Sequence, residues 1–246
     1  FCYRGSGPGE VAALGPIFHF FKEKGDLKTL LFAPNEEKLF IWNITQSIKR
    51  DTTVMDKQIS YPWREENGGA PYYLMFLKDE NTLITELQSF PLNDKEATLP
   101  AYQKRTLDTN KLLKSFSSYK KSIRNDEASI LPESFFYSND AIKPDGTKVV
   151  QAMVHLAQLN ILDLETGHVS GYRLEGEPDF SVFKSDEKIK SYFTRVQADD
   201  NYIYAVYWGK ERWERFETPH MNIIHVYDWD GNLVQKIETD YSIGQM

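Results

Sequence analysis

This sequence predicts an all-β chain built from repeated four-stranded antiparallel units, on three observations. First, a turn-and-strand phrase recurs four times, as Asp228-Trp-Asp-Gly-Asn-Leu-Val, Asp163-Leu-Glu-Thr-Gly-His-Val, Asp108-Thr-Asn-Lys-Leu-Leu and, more weakly, Asn43-Ile-Thr-Gln-Ser-Ile. The leading residues lie about 65, 55 and 65 positions apart, longer than the common radial repeats but of that kind. Second, another phrase alternates with it, a polar tip followed by a strand of period-two apolar spacing. Third, aromatic residues reach 14%, with 14 Tyr and 15 Phe, which favours strands over helices.

The earliest unit, about 17–54, holds the tip phrases Pro34-Asn-Glu-Glu-Lys-Leu-Phe-Ile and Asn43-Ile-Thr-Gln-Ser-Ile. These lie too close for a complete strand between two hairpins, so the unit reads as compressed. The second, 72–119, has tips at Lys78-Asp-Glu-Asn-Thr-Leu-Ile and Asp108, with a wide gap between them. The third, 136–175, gives strands at 136–142, 149–154, 159–162 and 169–174 around Lys143-Pro-Asp-Gly and Asp163. The fourth, 193–240, gives strands at 193–197, 202–207, 222–227 and 233–238 around Ala198-Asp-Asp-Asn and Asp228. Asp-Gly and Asp-Asn supply the positive φ angles that tight hairpins need.

Such a meander is the blade of a β-propeller. The chain is expected to be one propeller domain over 1–246. Propellers close on four to eight blades, and four recognisable units imply part of a larger ring with blades missing upstream. A sandwich or open meander is the alternative.

Composition narrows the function classes. The 246 residues are 41% apolar and 26% charged, so a core is available. The net charge of −7 argues against nucleic acid or an anionic membrane as the partner. Cys2, the single cysteine, cannot form an internal disulfide or a thiolate zinc site alone. No apolar run approaches membrane-spanning length. The start, Phe1-Cys2-Tyr3-Arg4, has no initiator Met, so the gene product is expected to begin earlier.

Strand direction sorts the loops. In a meander the one–two and three–four turns share one end, and the two–three loop and the connection between units share the other. Every long loop (55–71, 87–102, 120–133, 176–190 and 209–221) falls in the second set. Binding resides most often in loops on a rigid scaffold, so that end is the expected binding face. Its candidate contacts are Trp63 and Arg64, then Trp208, Lys210, Arg212, Trp213 and His220. Trp and Arg are enriched at interface hot spots. The same rings could instead cover the blade edge with Arg stems packed over them. Replacing Trp63, Trp208 and Trp213 with Ala is expected to remove partner binding with the melting temperature nearly unchanged.

Other motifs carry less. Arg4-Gly-Ser-Gly-Pro-Gly-Glu10 lacks the Gly-Lys-Ser/Thr ending of a P-loop, and Pro8 removes a donor. Asp228-Trp-Asp-Gly-Asn opens like a calcium loop but lacks its closing Glu, and hairpin chemistry explains the same residues. His19, His155, His168, His220 and His225 show no helical zinc spacing, and His155 and His225 read as core histidines. No Gly-x-Ser-x-Gly elbow and no Cys–His pair is present. No cofactor is expected.

The Arg4–Glu10 stretch, Asn160-Ile-Leu-Asp-Leu-Glu-Thr-Gly, Asn201-Tyr-Ile-Tyr-Ala-Val-Tyr-Trp-Gly and Ile224-His-Val-Tyr-Asp-Trp-Asp-Gly-Asn-Leu resemble the bacterial TolB-like six-bladed propellers. The resemblance covers most of the chain. It implies six blades and a periplasmic or cell-envelope protein, often lipid-anchored through an N-terminus not present here, and carries over no catalytic residue.

The expected function is therefore an extracytoplasmic binding module for a protein, peptide or glycan. The alternatives are a metal-dependent lactone or ester hydrolase with its ion at the propeller axis, and a structural subunit of an envelope complex.

Overall fold

Lys24 and Gly25 both have positive φ, 51° and 85°, and they fold the chain back after its first described strand. Glu23 pairs directly with Asp26, so Lys24 and Gly25 form a two-residue primed turn, whose twist matches that of the flanking strands. The computed structural model describes residues 18–66, 72–87, 101–117, 137–174, 176, 189–211, 214 and 221–244. Four four-stranded antiparallel sheets result, each taking its strands in sequence order. The chain divides into two compact units, Phe1–Ser89 with Ala101–Phe116, and Phe90–Pro100 with Ser117–Met246. Each holds two sheets.

In the first unit, sheet one is β1 (Phe18–Glu23), β2 (Asp26–Ala33), β3 (Lys38–Asn43) and β4 (Met55–Ser60). This corrects three expectations. The sheet runs beyond residue 54. A full six-residue strand stands between the two tips thought too close for one. The Pro34–Glu37 tip joins strands two and three, because Lys24-Gly25 already closes the one–two hairpin. The segment 55–71, expected as loop, contains β4 and a short helix, α2 (Trp63–Glu66).

Asn43 opens a helix, not a hairpin tip. Helix α1 (Ile44–Arg50) follows it, with the Asn43 Oδ1 accepting from Gln46 N at 2.9 Å. That satisfies one of the orphan amides of the first turn. Lys49 and Arg50 lie in the last turn, where cations favour the helix dipole, and Asp51 ends the helix at φ 50°. Asn43 Nδ2 also donates to Asp26 and Asp56, and Gln46 Nε2 donates to Asp26. Lys28 forms ion pairs with Glu23 and Asp56.

Sheet two is β5 (Tyr72–Leu77), β6 (Thr82–Leu87), β7 (Ala101–Thr106) and β8 (Leu112–Ser117). The core of this unit joins Leu30, Phe32, Leu39, Trp63, Tyr72 and Met75. Arg105, 1% exposed, is held by Gln103 Oε1 and by the carbonyl and side-chain oxygens of Asn110.

In the second unit, sheet three is β9 (Ser138–Ile142), β10 (Lys148–Met153), β11 (Gln158–Asp163) and β12 (Val169–Arg173). Sheet four is β13 (Lys190–Ala198), β14 (Tyr202–Glu211), β15 (Ile223–Asp228) and β16 (Leu233–Glu238). These strands follow the sequence reading closely, with β13 and β14 extended toward the loop end. Val150, Ala152, Leu159, Phe193, Ile203 and Ala205 form the shared core. Asp163, Asp199 and Asp228 sit at hairpin tips, each accepting from backbone amides two to four residues on. At these three tips the aspartate forms an Asx turn, a side chain imitating backbone.

Candidate functional site

The sequence Phe193-Thr-Arg-Val196 breaks the period of two. Phe193 and Val196 both face the shared core, although they are three apart. A regular strand would put them on opposite faces. The register shows how this is achieved: Phe193 pairs with Tyr207 and Arg195 with Val206, leaving Thr194 as an extra residue in β13. A second irregularity lies just beyond, where Ser191 pairs with Lys210 and the extra residue falls in β14. Gly209 accommodates it at φ 68°, and a Cβ there would fall 2.4 Å from the Tyr207 hydroxyl. Bulges re-aim side chains and concentrate at functional edges.

A cleft of about 520 Å³ opens at this bulged end, within the range of small-ligand sites. Its walls are Tyr137, Asn139 and Val154 of sheet three, Ser191 to Arg195 (without Tyr192) of β13, Met221, and Ser242 to Gly244 after β16. All belong to the loop-bearing ends of their sheets. Asn139 Nδ2 donates to Phe193 O at 3.3 Å, and Ile243 N donates to Met221 O at 2.7 Å, so both walls are tied. The Thr194 Oγ1 is buried without a hydrogen-bond partner among the described residues. Arg195 is exposed, and its guanidinium donates to the Thr194 carbonyl at 2.6 Å. It is the one charged side chain among the described lining residues.

Behind the cleft, Tyr207 stacks on His225 at 4.3 Å, and Phe193 meets both rings edge-on. The Tyr227 hydroxyl lies 3.0 Å from His225 Nδ1. Burial lowers the His225 pKa from its ordinary 6.5 to about 4, and Lys236 adds to this. Burial also pushes the Tyr227 phenol upward. This cluster is neutral at physiological pH and serves as a rigid wall.

The residues singled out from the sequence fall in separate units. In the first, Trp63 is 7% exposed, packs edge-on against Phe32, and donates from Nε1 to Pro34 O at 3.1 Å. Arg64 lies 5.0 Å over the Trp63 ring and pairs with Glu37 at 3.2 Å. In the second, Trp208 is 6% exposed, with its Nε1 unpartnered among the described residues. Lys210 lies beside Ser191 in β14, at the cleft's edge. Arg212, Trp213 and His220 lie outside the described residues, as does Arg4–Glu10. Sequence reasoning missed Asn139, Thr194, Arg195 and Met221; the broken period at 193–196 was the one signal for the bulge.

Asp228, considered for calcium, accepts from the amides of Asp230 and Asn232 and from the Asn232 side chain. Among the described residues no group of three or more His, Cys, Asp or Glu is placed to hold a metal ion. His19 Nδ1 accepts from Leu77 N at 3.1 Å while its ring lies 3.9 Å from that of Phe76. Among the described residues, no helix is long and apolar enough to cross a membrane.

Sequential four-stranded antiparallel sheets with Asx-turn tips are the blades of a β-propeller. The chain belongs to the TolB-like 6-blade propeller-like family, whose model matches residues 3–246. The described residues form four of the family's blades. Among solved structures, a Bacteroides fragilis NCTC 9343 protein described as exported is similar at 14% identity and a TM-score of 0.50, over 97% of this chain and 61% of that one. Virginiamycin B lyase from Staphylococcus aureus is similar at 12% identity and a TM-score of 0.46, over 91% of this chain and 55% of the other. Apo AztD from Citrobacter koseri gives 11% and 0.44, over 92% and 48%. The chain thus spans about half to three-fifths of these structures. No curated protein matches it.

Proposed function

We propose that this chain is an extracytoplasmic propeller-type binding module that presents the loop-bearing ends of its blades to a protein, peptide or glycan. One observation supports this most. In the second unit the two β13–β14 bulges, the cleft and the longest strand extensions lie at one end, while the opposite end holds short Asx turns and a single register shift beside the Asp228 turn. In the first unit α2 packs on the Pro34–Glu37 turn at the corresponding end, through Tyr61 N to Glu37 O and Trp63 Nε1 to Pro34 O. Helix α1 is the exception, standing at the opposite end of its sheet. Placement outside the cytoplasm draws on the family to which residues 3–246 belong.

Within this reading Arg64 and Lys210 are contact residues, with Arg212, Trp213 and His220 in the same loops. Trp63 holds α2 from beneath, and Trp208 is buried in β14. Peptide and glycan arrays probed with the purified chain provide the test. Ser242→Trp, at the cleft, should abolish binding to the positive spots. Asp145→Lys, at the turn end, should leave it within twofold. Equal loss in both variants, or binding untouched by Ser242→Trp, would remove the assignment of the loop end.

A further inference from the structure

We infer that the cleft beside the Thr194 bulge receives a molecule, or a chain end, in which a carboxylate stands next to an apolar group. This rests on the binding reading above and names the chemistry of its ligand. The walls divide in two. Val154, Met221 and Ile243 present apolar surface. Arg195 and Ser191 bring donors to the other side.

The charge points to one anion. Arg195 stands alone among the described lining residues, with no carboxylate opposing it, in a chain of net charge −7. A guanidinium offers a planar fork that fits a carboxylate through two parallel hydrogen bonds. Phosphate dianions usually gather several cations or a helix N-terminus, and neither is found among the described lining residues. Arg195 already donates to the bulge carbonyl, so its head is held over the cleft before ligand arrives, and preorganisation of this kind raises affinity.

The experiment uses the whole chain with ¹³C-methyl-labelled methionine. Met221 lines the cleft, and Met75, in the core of the first unit, is the internal control. Four probes are titrated: octanoate, octanamide, the peptide Gly-Gly-Phe and its C-terminal amide. Octanoate should shift the Met221 methyl saturably and leave Met75 in place, while octanamide binds at least tenfold more weakly. Arg195→Gln should weaken octanoate at least tenfold, and Arg195→Lys should fall between. Arg195 is exposed, so both variants should keep the parent's melting temperature. If Gly-Gly-Phe binds more tightly than octanoate and its amide does not, the ligand is a chain end; the reverse order makes it a free acid. Equal binding of charged and neutral probes, an unchanged Arg195→Gln, or a Met221 methyl that no probe moves would overturn the inference. Array ligands without a carboxylate, lost on Ser242→Trp, would leave the broader reading standing while this one falls.

Discussion

Trp63 shows how a residue can look like a contact in sequence and act as packing in the fold. Its ring is buried among Phe32, Tyr61 and Tyr72, and its N–H is used on Pro34 O. Trp63→Ala therefore leaves a large cavity and should destabilise the first unit by about 3–5 kcal/mol. Urea denaturation measures it; a loss under about 1 kcal/mol would contradict the packing role. The sequence expectation that the melting temperature would barely move is replaced by this one. Arg64 differs: its pair with Glu37 is half exposed on the Arg side, and such pairs contribute little. The presence of Trp beside Arg was legible, but which of the two reaches solvent depends on the Pro34–Glu37 turn 29 residues away in sequence.

At the level of elements, the hairpins with Asx tips were readable because one side chain and two or three amides determine them locally. Thr166 N, for example, donates to Asp163 at 2.7 Å. Backbone hydrogen bonds from Thr166 in one tip and from Tyr202 in the next hold Asp163 and Asp199 below the usual carboxylate range. Asn43 carried the same kind of local signal with a different outcome. Asn43-x-x-Gln46 is a helix-start pattern, and the apolar run before it made it resemble a tip. Asn43 is buried and bonds to the Gln46 amide, Asp26 and Asp56. Asn43→Ala should cost about 1–2 kcal/mol, read as a shift in urea midpoint at constant slope. Equal midpoints for Asn43→Ala and the parent would refute the capping role. The bulge at Thr194 was less legible, since only the spacing of Phe193 and Val196 betrays it, and that spacing needs the core to be known first.

For the whole molecule, the buried His225 and the partly buried His19 shape the acid response. Burial brings both His19 and His225 from 6.5 to about 4. The unfolded chain then binds more protons between those values, so stability is complete above about pH 6.5 and falls as pH drops to about 4. Each unit of depression corresponds to about 1.4 kcal/mol at full burial, so the combined loss is on the order of a few kcal/mol. Below pH 4 the depressed carboxyls of Asp163, Asp199 and Asp228 take over, as their turn hydrogen bonds are lost on protonation. A melting-temperature series from pH 8 to 4 should decline from about 6.5 downward, and His19→Phe should flatten that decline. A flat parent profile would contradict the burial argument. Fold class was legible at this scale because each sheet is local in sequence. Assembly of the cleft was not, since its walls come from residues more than a hundred positions apart, Tyr137 and Gly244 at the extremes.

Each of the four sheets draws all its strands from one uninterrupted stretch of chain, in order. Every ladder hydrogen bond is therefore settled before the chain moves on. A genetic duplication or loss that cuts in the joining segments transfers a finished sheet and leaves no ladder to repair. Relatives can then grow or shrink by whole blades, and new loop ends arrive already seated on a working scaffold.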